Sequence, residues 1–175
     1  MTWRVITYRL AAEPTRYRVG VWRELRRLGA VSLQQGTWAV PDAEPFAAGV
    51  AQVIEAIKAA GGQPVVLAIA EEQASESQLE ALFTEQREAE WIEFLSDCGK
   101  YENELAGEVA KGKLTLAELD EEEQSLERLR RWYRDLKLRD LFGASSAEEA
   151  DLRLKGCQTR LEDFAERVYA AAHGH

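Results

Sequence analysis

Arg16, Arg23, Arg26 and Arg27 stand close together in a chain whose formal net charge is −9. A guanidinium fork makes paired, charge-assisted hydrogen bonds to a phosphate or another oxyanion, so clustered arginines are suited to holding such a group. On a helix that turns by about 100° per residue, measured from Val21, the four lie at roughly 220°, 200°, 140° and 240°. They share one arc, opposite the apolar positions of the same segment. No acid falls inside that arc, although Glu24 sits beside it. Arg18, Arg4 and Arg9 are close in sequence. The competing reading is a solvated helix face, or arginines paired with acids elsewhere in the chain.

Other residues with chemical potential read as structural. Arg130, Arg131 and Arg134 enclose Trp132 and Tyr133. Basic and aromatic residues together can stack nucleic-acid bases, but these aromatics fall on the apolar stripe of a helix and are expected in the core. Trp38 alternates with strand neighbours and is also expected in the core. Asp120-Glu-Glu-Glu123 has no histidine or further ligand spaced to complete a metal site, and acids in a first helical turn complement the helix dipole. His173 and His175 are expected in a frayed tail. Cys98 and Cys157 sit on apolar seams and are expected to be buried thiols. The sequence has no G-x-S-x-G, no glycine-rich phosphate loop and no metal-ligand spacing. With histidines only in the tail, a histidine-based triad is disfavoured. The expectation is a protein without catalytic residues, metal or cofactor.

The elements that would carry the arginines follow from periodicity. WRVITYRL, residues 3–10, is rich in β-branched and aromatic types and predicts a strand. A helix is expected over about 16–28, with Tyr17, Val21, Leu25 and Leu28 on one stripe and Gly29 stopping it. Two short strands, AVSLQ and TWAV, flank Gln35-Gly36, where glycine supplies the positive φ of a tight turn. A second helix is expected over about 44–60. VVLAIA, residues 65–70, reads as a fourth strand covered on both faces. The order βαββαβ is the split pattern of ferredoxin-like domains. From Ser75 the period is helical: one long helix to about 110, one opened by a Thr115-x-x-Glu118 capping box, and one capped by Ser145 or Ser146 with Glu148 and Glu149. The last has Ala150, Leu154, Cys157, Leu161, Phe164 and Val168 as an a/d seam.

The reading is therefore α+β: a ferredoxin-like βαββαβ domain over 1–72, followed by a three-helix extension over 73–175 packed on it. Hydrophobic residues make up 46% and charged residues 30%, the balance of a folded globular chain. Charge is uneven. Residues 1–70 hold eight Lys/Arg against five Asp/Glu, a balance of +3, and residues 71–175 hold fourteen against twenty-six, a balance of −12. The N-terminus lacks an apolar signal region, and the longest apolar run falls far short of the roughly 20 residues that cross a bilayer. A cytoplasmic protein without a membrane partner is expected.

Taken together, these segments resemble the N-terminal domain of the chromate-resistance regulator family, ChrB. The resemblance is carried by R-x-x-x-W-R-x-L-R-R-L-G-A from Arg18 to Ala30, then Gly36 and Pro41. It continues through Arg87-Glu-Ala-Glu-Trp-Ile-Glu-Phe-Leu95, Gly112-Lys-Leu-Thr-Leu-Ala-Glu-Leu119, Arg130-Arg-Trp-Tyr133 and Arg139-Asp-Leu-Phe-Gly143. It implies a cytoplasmic regulator that binds the promoter of a chromate-efflux operon, with Arg18, Arg23, Arg26 and Arg27 as matching residues for DNA. Longer members carry a second, C-terminal domain that this chain, ending at His175, lacks, so chromate sensing is not carried over. The first helix and hairpin also look like the ferredoxin-like domain of phenylacetate-pathway repressors and of CRISPR spacer-acquisition nucleases. Those nucleases hold a metal with an aspartate at the end of the first strand. Here that strand ends Tyr8-Arg9-Leu10, which argues against nuclease activity.

Three functional expectations follow. The first is a non-catalytic regulator that binds duplex DNA through Arg16, Arg18, Arg23, Arg26 and Arg27, with a homodimer repeating the basic face. The second is a protein-interaction module with no nucleic-acid role. The third is an oxyanion sensor in which the arginines cradle chromate or a similar dianion.

Overall fold

A computed structural model describes the backbone of residues 1–70 and 73–174, and their side chains except at 73–77. His175 and the side chain of Ser75 lie outside the described residues. The elements are β1 (Trp3–Thr7), α1 (Thr15–Leu28), β2 (Val31–Gln34), β3 (Thr37–Pro41), α2 (Ala47–Ala59), β4 (Val65–Ile69), α3 (Gln73–Lys111), α4 (Leu116–Arg139) and α5 (Ala147–His173). They form two compact units, Met1–Gln86 and Arg87–His175. Among the described residues no helix is long and apolar enough to cross a membrane.

The first unit has the expected order βαββαβ and a four-stranded antiparallel sheet ordered β2-β3-β1-β4. β1 and β2 are both antiparallel to β3, so they run parallel to each other with β3 between them. β3 and β4 are likewise parallel, with β1 between them. Each of these crossovers carries one helix. β1 stops at Thr7 rather than at Leu10. Its last rung is Thr7 opposite Thr37, where β3 begins, and beyond it the Tyr8 N–H bonds the carbonyl of Gly36 at 2.9 Å.

The core of this unit draws on Trp3, Val5 and Ile6 of β1, Val21, Leu25 and Leu28 of α1, and Val50, Val53 and Ile57 of α2. Phe83, early in α3, meets the rings of Trp3 and Phe46 edge-on at centroid distances of 6.0 and 5.8 Å. Two expectations fail here. Tyr17, placed on the buried stripe by spacing, is exposed, because it lies in the first turn of α1, a turn ahead of the first buried position, Val21. β4 is not covered on both faces: Val65, Leu67 and Ile69 are exposed. β4 pairs only with β1 and is an edge strand, so its apolar composition does not signal a central position.

The second unit packs the rest of α3 with α4 and α5 around Trp91, Phe94, Cys98, Leu126, Cys157 and Phe164, among others. The a/d seam of α5 is buried as its spacing predicts, with Leu161 partly so. Trp132 and Tyr133 are half-buried against this core, where their rings meet Phe94 and Trp91, each at 5.4 Å. Arg130, Arg131 and Arg134 share Glu127 at 3.8, 3.9 and 3.3 Å. Cys98 and Cys157 are buried free thiols, and the Cys157 thiol faces the Cys98 carbonyl at 3.7 Å. Thr115 caps α4 by accepting from the Glu118 N–H at 3.2 Å. Ser146 makes no side-chain cap for α5. Its N–H donates to Glu88 at 2.9 Å, and its hydroxyl donates to the same carboxylate. His173 is not frayed but closes α5, its ring stacked on Tyr169.

Among the described residues, three buried charged residues mark this unit: Arg87, Glu108 and Glu122. Arg87 is 1% exposed and pairs with Glu90 at 2.9 Å, and Arg139 reaches the same carboxylate at 3.4 Å. Burial pulls the Arg87 guanidinium down to about 10, opposed by the Glu90 charge, and leaves it cationic at neutral pH. Glu122 is buried, and its Oε2 accepts no hydrogen bond among the described residues. Burial, reinforced by Glu104, Glu108, Glu118 and Glu121, pushes its carboxyl up to about 7. The nearby cations Lys111 and Lys113 are spent on Glu108. A carboxyl that binds its proton more tightly when folded stabilises the fold at low pH, and that contribution is lost as pH rises through the folded value. Glu122→Gln is therefore expected to raise unfolding stability by about 1 kcal/mol at pH 8 and to change it little at pH 5. Urea titrations at the two pH values check this. An equal effect at both would show that the carboxyl does not titrate in this range.

Candidate functional site

A basic concavity of the first unit lies between α1, the segment after β1 and the β2–β3 turn. Its volume is about 940 Å3, and its lining includes Arg9, Arg18, Arg26, Trp22, Trp38 and Tyr8. Among the described residues, no carboxylate lines it. One wall is a stripe of α1. Arg18, Trp22 and Arg26 stand four residues apart, so each is about one turn, or 6 Å, beyond the last. The other wall depends on Gly36. This residue has φ of 75°, and its carbonyl accepts the hydrogen bond from Tyr8 that holds the turn against the end of β1.

Exposure and pairing distinguish the arginines. Arg9, Arg18 and Arg26 have no carboxylate partner among the described residues. The Arg26 guanidinium lies 5.8 Å from the centroid of the Trp22 ring, which is 51% exposed. A cation beside an aromatic face is attracted by the ring quadrupole, and this holds both groups in place. Trp38 is buried, as expected of a strand residue in the core, yet it still contributes to the groove floor. Burial raises the Tyr8 hydroxyl above its ordinary pKa, opposed by the Trp38 indole and by the charge of Arg18.

The five arginines singled out by sequence do not act as one patch. Arg18 and Arg26 enter the groove, and Arg16, Arg23 and Arg27 do not line it. Arg16 folds over the ring of Tyr17 at 5.0 Å and donates to its hydroxyl at 3.3 Å. Arg27 is held by Glu24 at 2.7 Å. Arg23 is exposed, with no ion pair among the described residues. Arg4, off the groove, pairs with Asp42 at 3.1 Å. The sequence reading passes over Trp22 and gives Arg9 no role. The four-residue spacing of Arg18, Trp22 and Arg26 is the signal that would have found Trp22.

The arrangement brings positive charge, one exposed aromatic ring and the hydroxyls of Tyr8, Thr15 and Ser32 together in one groove. The protein is thus defined as an α+β domain with a basic, aromatic groove, followed by a helical unit. The chain belongs to the family of ChrB N-terminal domains: the family model described as protein ChrB, N-terminal, matches residues 18–175. Membership places it with chromate-resistance-associated regulatory proteins. No curated protein matched the chain.

The groove wall makes a stability prediction. A Cβ at position 36 would stand 2.5 Å from the backbone oxygen of Tyr8, in a region of φ that L side chains avoid. Gly36→Ala is expected to cost about 1–3 kcal/mol in urea unfolding. Gly20→Ala, where nothing lies within 4 Å of the added carbon, is the control and should be neutral or stabilising.

Proposed function

We propose that this chain is a cytoplasmic, non-catalytic regulator that binds DNA through the groove at α1, as the basic module of a homodimer. The observation that carries the reading is the grouping of Arg9, Arg18 and Arg26, unpaired among the described residues, in a groove with no lining carboxylate. Unpaired guanidinium groups suit phosphate oxygens, because no internal ion pair has to be broken first. Arg23 is exposed on the same helix but lies outside the groove. The sheet order β2-β3-β1-β4, with each helix crossing over one intervening strand, supports a ferredoxin-like description of this domain. For the homodimer, the exposed apolar edge strand β4 offers a surface for a second copy. An oxyanion sensor is less well supported, since a groove of about 940 Å3 lined by two tryptophans is large for a small inorganic dianion.

Each neutralised phosphate releases condensed counterions, so the observed binding constant for duplex DNA should fall with salt at a log–log slope of about −0.9 per contact. Three groove arginines predict a slope of about −3 per protomer. Arg18→Ala should make that slope shallower by about one unit and weaken binding at low salt. Filter binding across a salt series measures both. A duplex that is not retained at low salt, or a slope untouched by Arg18→Ala and Arg26→Ala, would show that the groove is not the DNA contact.

The dimer has its own test. Sedimentation should give a dimer for the natural chain and a monomer for Leu67→Glu. A monomeric natural chain would remove the second copy from the reading.

A further inference from the structure

We infer that the groove captures an unpaired nucleotide, with the base laid on the Trp22 ring and the phosphates held by Arg9, Arg18 and Arg26. This rests on the nucleic-acid reading above and narrows it to the form of nucleic acid that the groove prefers. Bases in a duplex stack on one another and present only their edges, so the flat face of an exposed tryptophan has no partner there. An unstacked base does offer its face, and an aromatic platform flanked by positive charge is the recurrent device for holding one. Trp22 is 51% exposed, on a helix that buries Val21, Leu25 and Leu28 on its other side. Its ring is not filling the core but lines the groove, with the Arg26 guanidinium over one face at 5.8 Å from the centroid, which leaves the other face for a base.

The spacing fits the same ligand. Arg18 and Arg26 lie about one helical turn on either side of Trp22. A base on the ring therefore has a guanidinium within reach toward its 5′ and its 3′ phosphate. Arg9 comes from the segment after β1 and faces the stripe from the opposite wall. Tyr8 lines the same groove and adds a hydroxyl beside the ring. The absence of any lining carboxylate leaves the phosphates unopposed.

The test compares a labelled oligothymidylate of about twelve nucleotides with an A·T duplex of the same length at one salt concentration, using fluorescence anisotropy. The single strand is expected to bind at least about fivefold more tightly. Trp22→Ala should lower single-strand affinity about tenfold or more, and by a larger factor than duplex affinity. Trp22→Phe, which keeps an aromatic face, should recover most of the loss. Circular dichroism of the two variants checks that α1 is intact. AMP as competitor separates the two sources of the ligand. Displacement at millimolar AMP shows that the groove also takes free nucleotides, and its absence confines capture to a strand.

Equal or tighter binding of the duplex overturns the inference. So does a Trp22→Ala variant that binds the single strand as the natural protein does. If the duplex still binds with the expected salt slope in either case, the DNA-binding reading survives while base capture falls. If neither nucleic acid binds, both fall together.

Discussion

Strand β1 is hydrogen-bonded on both sides, to β3 and to β4, and the first unit depends on that double pairing. Trp3 is set opposite Pro41 on one side and Ile69 on the other, and Thr7 is set opposite Thr37 and Val65. A shift of one residue on either side would exchange the buried and exposed faces of the moved strand. The register ends at the Tyr8–Gly36 hydrogen bond, and the groove begins there. Tyr8 and Arg9, which follow the last rung of the sheet, line the groove together with the helix stripe. Gly36 has little freedom to change, because the turn must come within contact distance of the backbone at Tyr8.

The second unit is secured by polar contacts at the point where its three helices meet. The motif from Arg87 to Leu95 and the motif from Arg139 to Gly143 meet there. Glu90 binds Arg87 and Arg139, and the Trp91 indole donates to Asp140 at 3.0 Å. Asp140 in turn accepts from the Ala144 N–H at 2.9 and 3.1 Å, while Glu88 takes the Ser146 N–H at the start of α5. A buried ion pair gains little over an apolar pair of the same shape, but removing one partner strands the other and costs several kcal/mol. The resemblance motifs in this half are thus explained by packing and satisfaction of buried polar groups, whereas the Arg18–Ala30 motif spans the stripe of α1 that faces the groove.

What could be read from the sequence was local. The element order, the turn at Gln35-Gly36, the buried stripe of α1 and the seam of α5 all follow from spacing within one segment. Two of the misread features depend on residues distant in sequence. β4 has the composition of a central strand, and only the pairing of distant strands places it at the edge. Ser146 has the type of a helix cap, yet its partner is Glu88, fifty-eight residues away. The site was half legible for the same reason. Helical angles separate the arginines from the apolar stripe, but they cannot show that the opposite wall of the groove stands over Arg18 and Arg26 alone. The pair of Glu24 with Arg27, by contrast, is a local i, i+3 contact that helical spacing does offer.

The chain is acidic overall, and that does not decide its partners. At physiological ionic strength, fields between exposed charges fade over about 8 Å, so a ligand responds to the charges lining its own site. Those lining the groove are all positive. Elsewhere arginines are often paired: Arg130, Arg131 and Arg134 on Glu127, Arg153 on Glu102, and Arg87 and Arg139 on Glu90. A paired guanidinium must lose its carboxylate before it can take a phosphate, and an unpaired one has only water to give up. Three such contacts alone would give weak, salt-sensitive binding with no preference for any nucleic-acid form. The aromatic face between them can supply a preference, because stacking depends on whether a base is free to leave its neighbours.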